Sequence, residues 1–386
     1  MIRTTQVNVP RGMIDLGVGQ PDFELLPVDL LRRAAARRLA DGDRGFLNYG
    51  YEQGDGHFRL ALADFLERHY RQPVAASSLM TTAGTSQALD LICTCFTRPG
   101  DTVFVEEPTY FLALRIFADR GLQVASVPTD ENGLQVDALE TLLAEQRPAF
   151  LYTVPTFHNP TGITLPAGRR ERLLALSREH EFLVVADEVY QLLYYAKEPP
   201  QPLATFAGSE NVLSLGTFSK ILAPGLRLGW IHTSPSLLAP LVESGLLASG
   251  GGLNPFTSAL VQVVLAEGWL DQHVAKLQAT YGSRLATMDA ALKAGLGDAV
   301  EFLTPRGGFF FWVKLPEGLA ATAFRETARR NHVDFRPGTL FSGAGGCQPY
   351  LRLCFAFYDE AQIGAGVRRL GQALDEFMSL RRSTPR

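Results

Sequence analysis

Short apolar runs alternate with amphipathic stretches through the first two thirds of the chain. Residues 79–82, 102–106, 123–127, 149–154, 182–186, 212–215 and 228–231 read as strands. Residues 28–39, 58–70, 87–97, 111–120, 137–145 and 166–180 carry apolar positions at helical spacing. The run 182–186 is apolar without alternation, as in a parallel strand covered on both faces. The pattern predicts an α/β fold with a mostly parallel sheet. After residue 254 the texture changes to α+β. Helices are predicted over 255–278, 279–294, 321–331 and 359–378, with strands over 307–315 and 350–356. A smaller C-terminal domain from about residue 275 is expected, with a frayed tail over 381–386.

Composition narrows the function classes. The 386 residues are 46% hydrophobic and 20% charged, with a net charge of −4. This is ordinary for a soluble globular protein and gives no electrostatic case for a nucleic acid or an anionic membrane. Arg32-Arg33 and Arg37-Arg38 fall on a predicted helix and read as a solvated face. Cys93, Cys95, Cys347 and Cys354 match no zinc spacing and are few for a disulfide scaffold; the first two read as buried thiols. No signal peptide and no bilayer-spanning stretch is read, so a cytoplasmic location is expected.

Unusual polar clusters sit at predicted strand ends, where open parallel sheets bind ligands. Lys220 follows strand 212–215 on a turn rich in small and hydroxyl residues. A lysine there can form a Schiff base, and Thr217, Ser219 and Arg227 can donate to a phosphate. The alternative is a solvated loop lysine. Gly84-Thr85-Ser86 opens a helix and suits a phosphate or a plain cap. Asn159-Pro160-Thr161-Gly162 is an unusual turn or an ordinary Asn-Pro one. Asp187, at a strand mouth, needs a cationic partner such as a protonated ring nitrogen, or it caps a helix; Tyr190 follows three residues on. Arg352 interrupts an apolar strand, which a bound carboxylate or an outward-facing edge position would explain.

Taken in order, these clusters resemble the class I/II aminotransferases, fold type I enzymes dependent on pyridoxal phosphate. The matching motifs are NPTG at 159–162, DEVY at 187–190 and TFSKILAPGLRLGW at 217–230, with NYG at 48–50, EEPTY at 106–110, PRGGFFFW at 305–312 and YLRLCFA at 350–356. Within the family the chain looks most similar to the aromatic, kynurenine and 2-aminoadipate branch. The resemblance implies a large domain (45–274) with a mostly parallel seven-stranded sheet. It also implies an arm and helix (1–44) packing with a small α+β domain (275–386).

It further implies roles for the site residues. Lys220 would hold the cofactor and shuttle the substrate proton. Asp187 would pair with the ring nitrogen, Asn159 and Tyr190 with the ring oxygen, and Tyr110 would stack on the ring. Thr85, Ser86, Thr217, Ser219 and Arg227 would bind the phosphate, joined by Tyr49 from the second subunit of a homodimer. Arg352 would fix the substrate carboxylate beside Gly19 and Asn159. The phosphate turn reads Gly-Thr-Ser-Gln where the branch often has Gly-Ser-Gln-Gln. His158 reads as a structural histidine.

The implied reaction is ping-pong transfer of an amino group from an amino acid to a 2-oxo acid. Phe309, Phe311, Phe23 and Tyr110 hint at an apolar or aromatic donor, or are core. Other pyridoxal-phosphate chemistry on the same scaffold (C–S lysis, decarboxylation, racemisation or cyclisation) is the competing expectation. A ligand-sensing domain fused to a DNA-binding module is disfavoured, because the chain leaves no room for that module.

Overall fold

The computed structural model describes residue 2 and residues 4–383. Its main sheet has eight strands, in the spatial order Leu79–Thr82, Gly229–Thr233, Val212–Thr217, Leu183–Asp187, Phe150–Thr153, Thr102–Glu107, Gln123–Asp130 and Gly133–Leu134. Pairing is parallel from Val212–Thr217 across to Gln123–Asp130. Gly229–Thr233 runs antiparallel to both its neighbours. The eighth strand, beyond the seven expected, is a two-residue return antiparallel to Gln123–Asp130. A segment that short leaves no alternating pattern to read.

Side-chain alternation explains why the strands look apolar throughout. Val103, Val105, Tyr152, Val185 and Leu213 pack on one face against Leu89, Ile92 and Phe117. Phe104, Leu151, Val184, Ala186 and Val212 pack on the other against Leu139, Leu173 and Leu176. Both faces of the central strands are covered, so most of their polar groups gather at the strand ends.

A second sheet orders Glu301–Phe302, Phe310–Lys314, Tyr350–Cys354 and Arg336–Pro337, all antiparallel. Ile14–Asp15 pairs in parallel with Val333–Asp334, fastening the arm to the C-terminal part. Helix Val28–Ala40 packs on helix Pro255–Ala266.

The helices beyond residue 254 break elsewhere than expected. They are Pro255–Ala266 and Trp269–Gly295, and the second runs unbroken through residue 275. The stop is Gly268, at φ +66, a left-handed position that glycine takes without strain. Helices Pro235–Val242 and Gly245–Gly250 were not predicted, because Pro235, Pro240 and the glycines around them mask the period. The strand predicted from 307 begins at Phe310, since Gly308 turns at φ +69. The final helix, Glu360–Ser383, passes residue 381, where a tail was expected. Arg381 donates to the Gly318 carbonyl at 2.6 Å, which holds the last turn; residues 384–386 lie outside the described residues. Among the described residues no helix is long and apolar enough to cross a membrane.

Candidate active site

The carboxyl ends of the parallel strands meet the arm and the second sheet, and the polar clusters converge there. Strand Val212–Thr217 ends three residues before Lys220. Lys220 Nζ donates to the Gly19 carbonyl at 3.2 Å and lies 5.4 Å from the Phe309 ring centre. Burial lowers the ammonium pKa to about 8; Arg352 and Arg227 push the same way, and Cys354 and Asp187 oppose.

Asp187 ends the adjacent strand. Its Oδ2 accepts from the Tyr152 hydroxyl at 2.7 Å, while its Oδ1 is buried without a partner. Burial pushes the carboxyl up to about 6, against the Tyr152 bond, the charge of Lys220 and the Val189 N–H. Glu188 points to the opposite side, where Leu203 N donates to it at 2.9 Å and Arg170 lies 3.6 Å away. Adjacent carboxylates are thus separated by strand alternation, one into the cluster and one into a structural lock.

Arg352 is 3% exposed, on a strand flanked on both sides, so the outward edge position is excluded. Its Nη1 donates to Asn159 Oδ1 at 2.8 Å and its Nη2 to the Gly17 carbonyl at 2.9 Å, while Nε is buried without a partner. The guanidinium lies 4.0 Å from the Phe310 ring centre and 5.0 Å from that of Phe341. Burial lowers its pKa to about 10. A Cβ on Gly19 would sit 3.2 Å from Arg352 Nη2 and from Phe310, so a side chain there would crowd the guanidinium.

The third part is a cradle of donors. Gly84, at φ +91, precedes helix Thr85–Phe96, whose start has no side-chain cap from that residue. Arg227 closes over it, donating to the Ala83 carbonyl at 3.1 Å; a Cβ on Gly84 would approach Arg227 Nη2 to 2.8 Å. Thr217 Oγ1 and Ser219 Oγ are 3.0 Å apart on the neighbouring turn. Unsatisfied helix N–H groups, hydroxyls and an arginine are a phosphate-binding set.

Tyr190 is buried, its ring 5.3 Å from Phe309. Tyr110, at the start of helix Phe111–Asp119, has its phenol pushed up to about 12 by burial, with Asp187 adding and Arg352 opposing. Both tyrosines therefore join the cluster. Tyr49 does not: it is 84% exposed on the chain. Three contributors were not read from the sequence. Tyr152 and Phe341 look like core in an apolar context, and the Gly17 carbonyl carries no side-chain signal at all.

An amine with a lowered pKa, a buried carboxylate oxygen without a partner, a cradle of donors and a buried guanidinium with an unpaired Nε fit pyridoxal phosphate with an amino acid. The unpaired Asp187 Oδ1 fits such a group, because a protonated ring nitrogen would supply the charge it lacks. The fold and the site define a fold type I pyridoxal-phosphate enzyme. The chain belongs to the class I and II aminotransferase family, whose sequence profile matches residues 11–370. It is a pyridoxal-phosphate-dependent aminotransferase.

It is 36% identical over 371 residues to aromatic-amino-acid aminotransferase 1 of Thermococcus litoralis, covering 95% of this chain and 89% of that one. The solved multiple substrate aminotransferase of Thermococcus profundus superposes with a TM-score of 0.90 at 37% identity, over 96% of this chain and 93% of that one. The α-aminoadipate aminotransferase of Thermus thermophilus, complexed with N-(5′-phosphopyridoxyl)-L-leucine, gives 0.87 at 34% identity, over 97% and 96%.

Proposed function

We propose that the protein moves an amino group from an L-amino acid with an apolar or aromatic side chain to a 2-oxo acid. The order is ping-pong: the first product leaves before the second substrate binds. The observation that carries the side-chain preference is the setting of Arg352 between the rings of Phe310 and Phe341, with Phe111 5.1 Å beyond Phe341. A carboxylate on that guanidinium brings its own side chain among aromatic faces. The aromatic-amino-acid relative supports the same reading.

Bound pyridoxal phosphate supplies an electron sink for the charge left at the substrate Cα. The chain's residues do the rest. Lys220 Nζ would hold the cofactor and would move the proton between the substrate Cα and the accepting carbon; burial lowers the free amine to about 8, so it is partly unprotonated near neutral pH. Asp187 Oδ1 would hold the proton on the ring nitrogen. Asn159 and Tyr190 would hydrogen-bond to the ring oxygen, and Tyr110 would cover the ring. Thr85, Ser86, Thr217, Ser219 and Arg227 hold the phosphate. Arg352 binds the substrate carboxylate beside Asn159, and Gly19 keeps that corner open.

Tyr49 reaches the phosphate of a second copy in a homodimer, a reading that its exposure on the single chain supports. A reducing, cytoplasmic setting is part of the same reading, and the free thiols of Cys93, Cys95, Cys347 and Cys354 agree with it.

The test is an absorbance titration of the holoenzyme with a panel of amino acids. Conversion to the pyridoxamine form by an aromatic donor, reversed by a 2-oxo acid, is the expected result. If the spectrum is perturbed but no 2-oxo acid restores it, the lyase, decarboxylase, racemase or cyclase reading takes its place.

A further inference from the structure

His158 and Glu106 stand behind the Asn159 turn, and neither has a place in the chemistry above. Both are buried, at 4% and 2% exposure. Glu106 Oε2 accepts from Val154 N at 2.8 Å and lies 3.1 Å from His158 Nε2, off the line of an ideal hydrogen bond. On the other side of the imidazole, His158 Nδ1 is 2.9 Å from Thr161 Oγ1 and accepts from Thr161 N at 3.4 Å. An Nδ1 that accepts from a backbone N–H leaves the ring proton on Nε2, facing Glu106. The imidazole thus bridges a carboxylate on strand Thr102–Glu107 and the hydroxyl two residues beyond Asn159. A second link, from His158 N to the Ile163 carbonyl at 2.8 Å, closes the same turn.

Asn159 sits between the two residues that this bridge holds. Its Oδ1 faces Arg352, which can only donate, so Nδ2 is the end left to donate elsewhere. We propose that Glu106, His158 and Thr161 are positioning residues: they fix the turn so that the Asn159 amide is held between Arg352 and the ring oxygen of the cofactor. The inference rests on the reading of Asn159 given under the proposed function. It also gives EEPTY a division of labour. Glu106 braces the Asn159 turn, and Glu107 Oε2 accepts from Gly343 N at 2.9 Å, bracing the loop that carries Phe341.

Four variants test it: Asn159→Ala, Thr161→Val, His158→Asn and His158→Gln. Asparagine keeps an acceptor near the Nδ1 position and loses Glu106, whereas glutamine keeps a donor near the Nε2 position and loses Thr161. Each cofactor-free variant is titrated with pyridoxal phosphate, and the pH at which the bound cofactor's absorbance changes is recorded. Asn159→Ala sets the size and direction of both effects. A hydrogen bond to a charged oxygen predicts about tenfold weaker cofactor binding for it. We expect Thr161→Val and both His158 variants to move both readouts in the same direction, each by a smaller amount. A merely structural role would lower the melting temperature and leave the spectral pH in place. Should His158→Asn fail to fold with Glu106 stranded, Thr161→Val, which leaves that contact whole, decides the matter. If Asn159→Ala moves both readouts and the folded Thr161→Val variant moves neither, the relay is overturned and the reading of Asn159 stands. If Asn159→Ala itself moves neither, both fall.

Discussion

Arg352 Nη1 donates to Asn159 Oδ1 at 2.8 Å, joining positions 193 residues apart. One comes from the second sheet and the other from a turn at the end of the main sheet, so this bond spans the seam between the two layers. It also commits Asn159 Oδ1 to Arg352 and leaves Nδ2 as the end able to donate elsewhere. Replacing Arg352 with lysine keeps the charge and loses the planar fork. Arg352→Lys should raise KM for amino acids by roughly 10- to 100-fold, the value of a charged hydrogen bond. Steady-state kinetics with two donors of different side chain checks it; an unchanged KM for both would remove Arg352 from the carboxylate site.

Lys220→Ala removes the residue proposed as both covalent tether and proton carrier. Borohydride reduction followed by mass spectrometry should show no cofactor fixed to the chain. Turnover should fall by about 10²–10⁴-fold or more, the usual value of a positioned acid–base group.

Asp187 gives the cofactor-free protein a pH signature. Its carboxyl titrates at about 6 in the fold, above its ordinary 3.8, so the folded state binds a proton between those values. The stability held by this group is full below about pH 4 and is lost as pH rises through about 6. Asp187→Asn should therefore stabilise the cofactor-free protein at pH 8, by on the order of 3 kcal/mol for a shift of about two units. The gain should fade towards pH 4. Urea denaturation at the two pH values measures it, and the same variant should bind pyridoxal phosphate more weakly.

Tyr152→Phe deletes the 2.7 Å bond to Asp187 Oδ2 and leaves the ring packing in place. That bond opposes burial, so its loss should push the Asp187 carboxyl further up. The midpoint of the pH-dependent stability loss should move upward relative to the parent protein. Urea midpoints between pH 5 and 8 would show it.

Phe341→Leu keeps most of the volume and removes the aromatic face above Arg352. Losing an aromatic–aromatic contact of about 0.5–1.5 kcal/mol with the donor's ring predicts a rise in KM of roughly 2- to 12-fold for aromatic donors. The rise for alanine should be smaller, and paired kinetics with phenylalanine and alanine separates the two.

Seven strands of the main sheet and the helices between them were legible in the chain, because both faces of the central strands are covered and the apolar runs stand out. So were Lys220, Asp187, Asn159 and Arg352, each a polar residue placed where an apolar run stops or is broken. Local order also set the turns, since glycine at a left-handed φ and a helix start with free N–H groups are short-range facts. The partners were not legible. Tyr152 reads as core until the parallel register sets its strand beside Leu183–Asp187. The Gly17 and Gly19 carbonyls become acceptors for Arg352 and Lys220 only once the arm pairs with Val333–Asp334. Sequence spacing carries periodicity and composition, which determine the elements and the chemical types in the site. Which donor meets which acceptor depends on contacts from 35 to 335 residues apart, and those were decided only when the strands, the two sheets and the arm packed together.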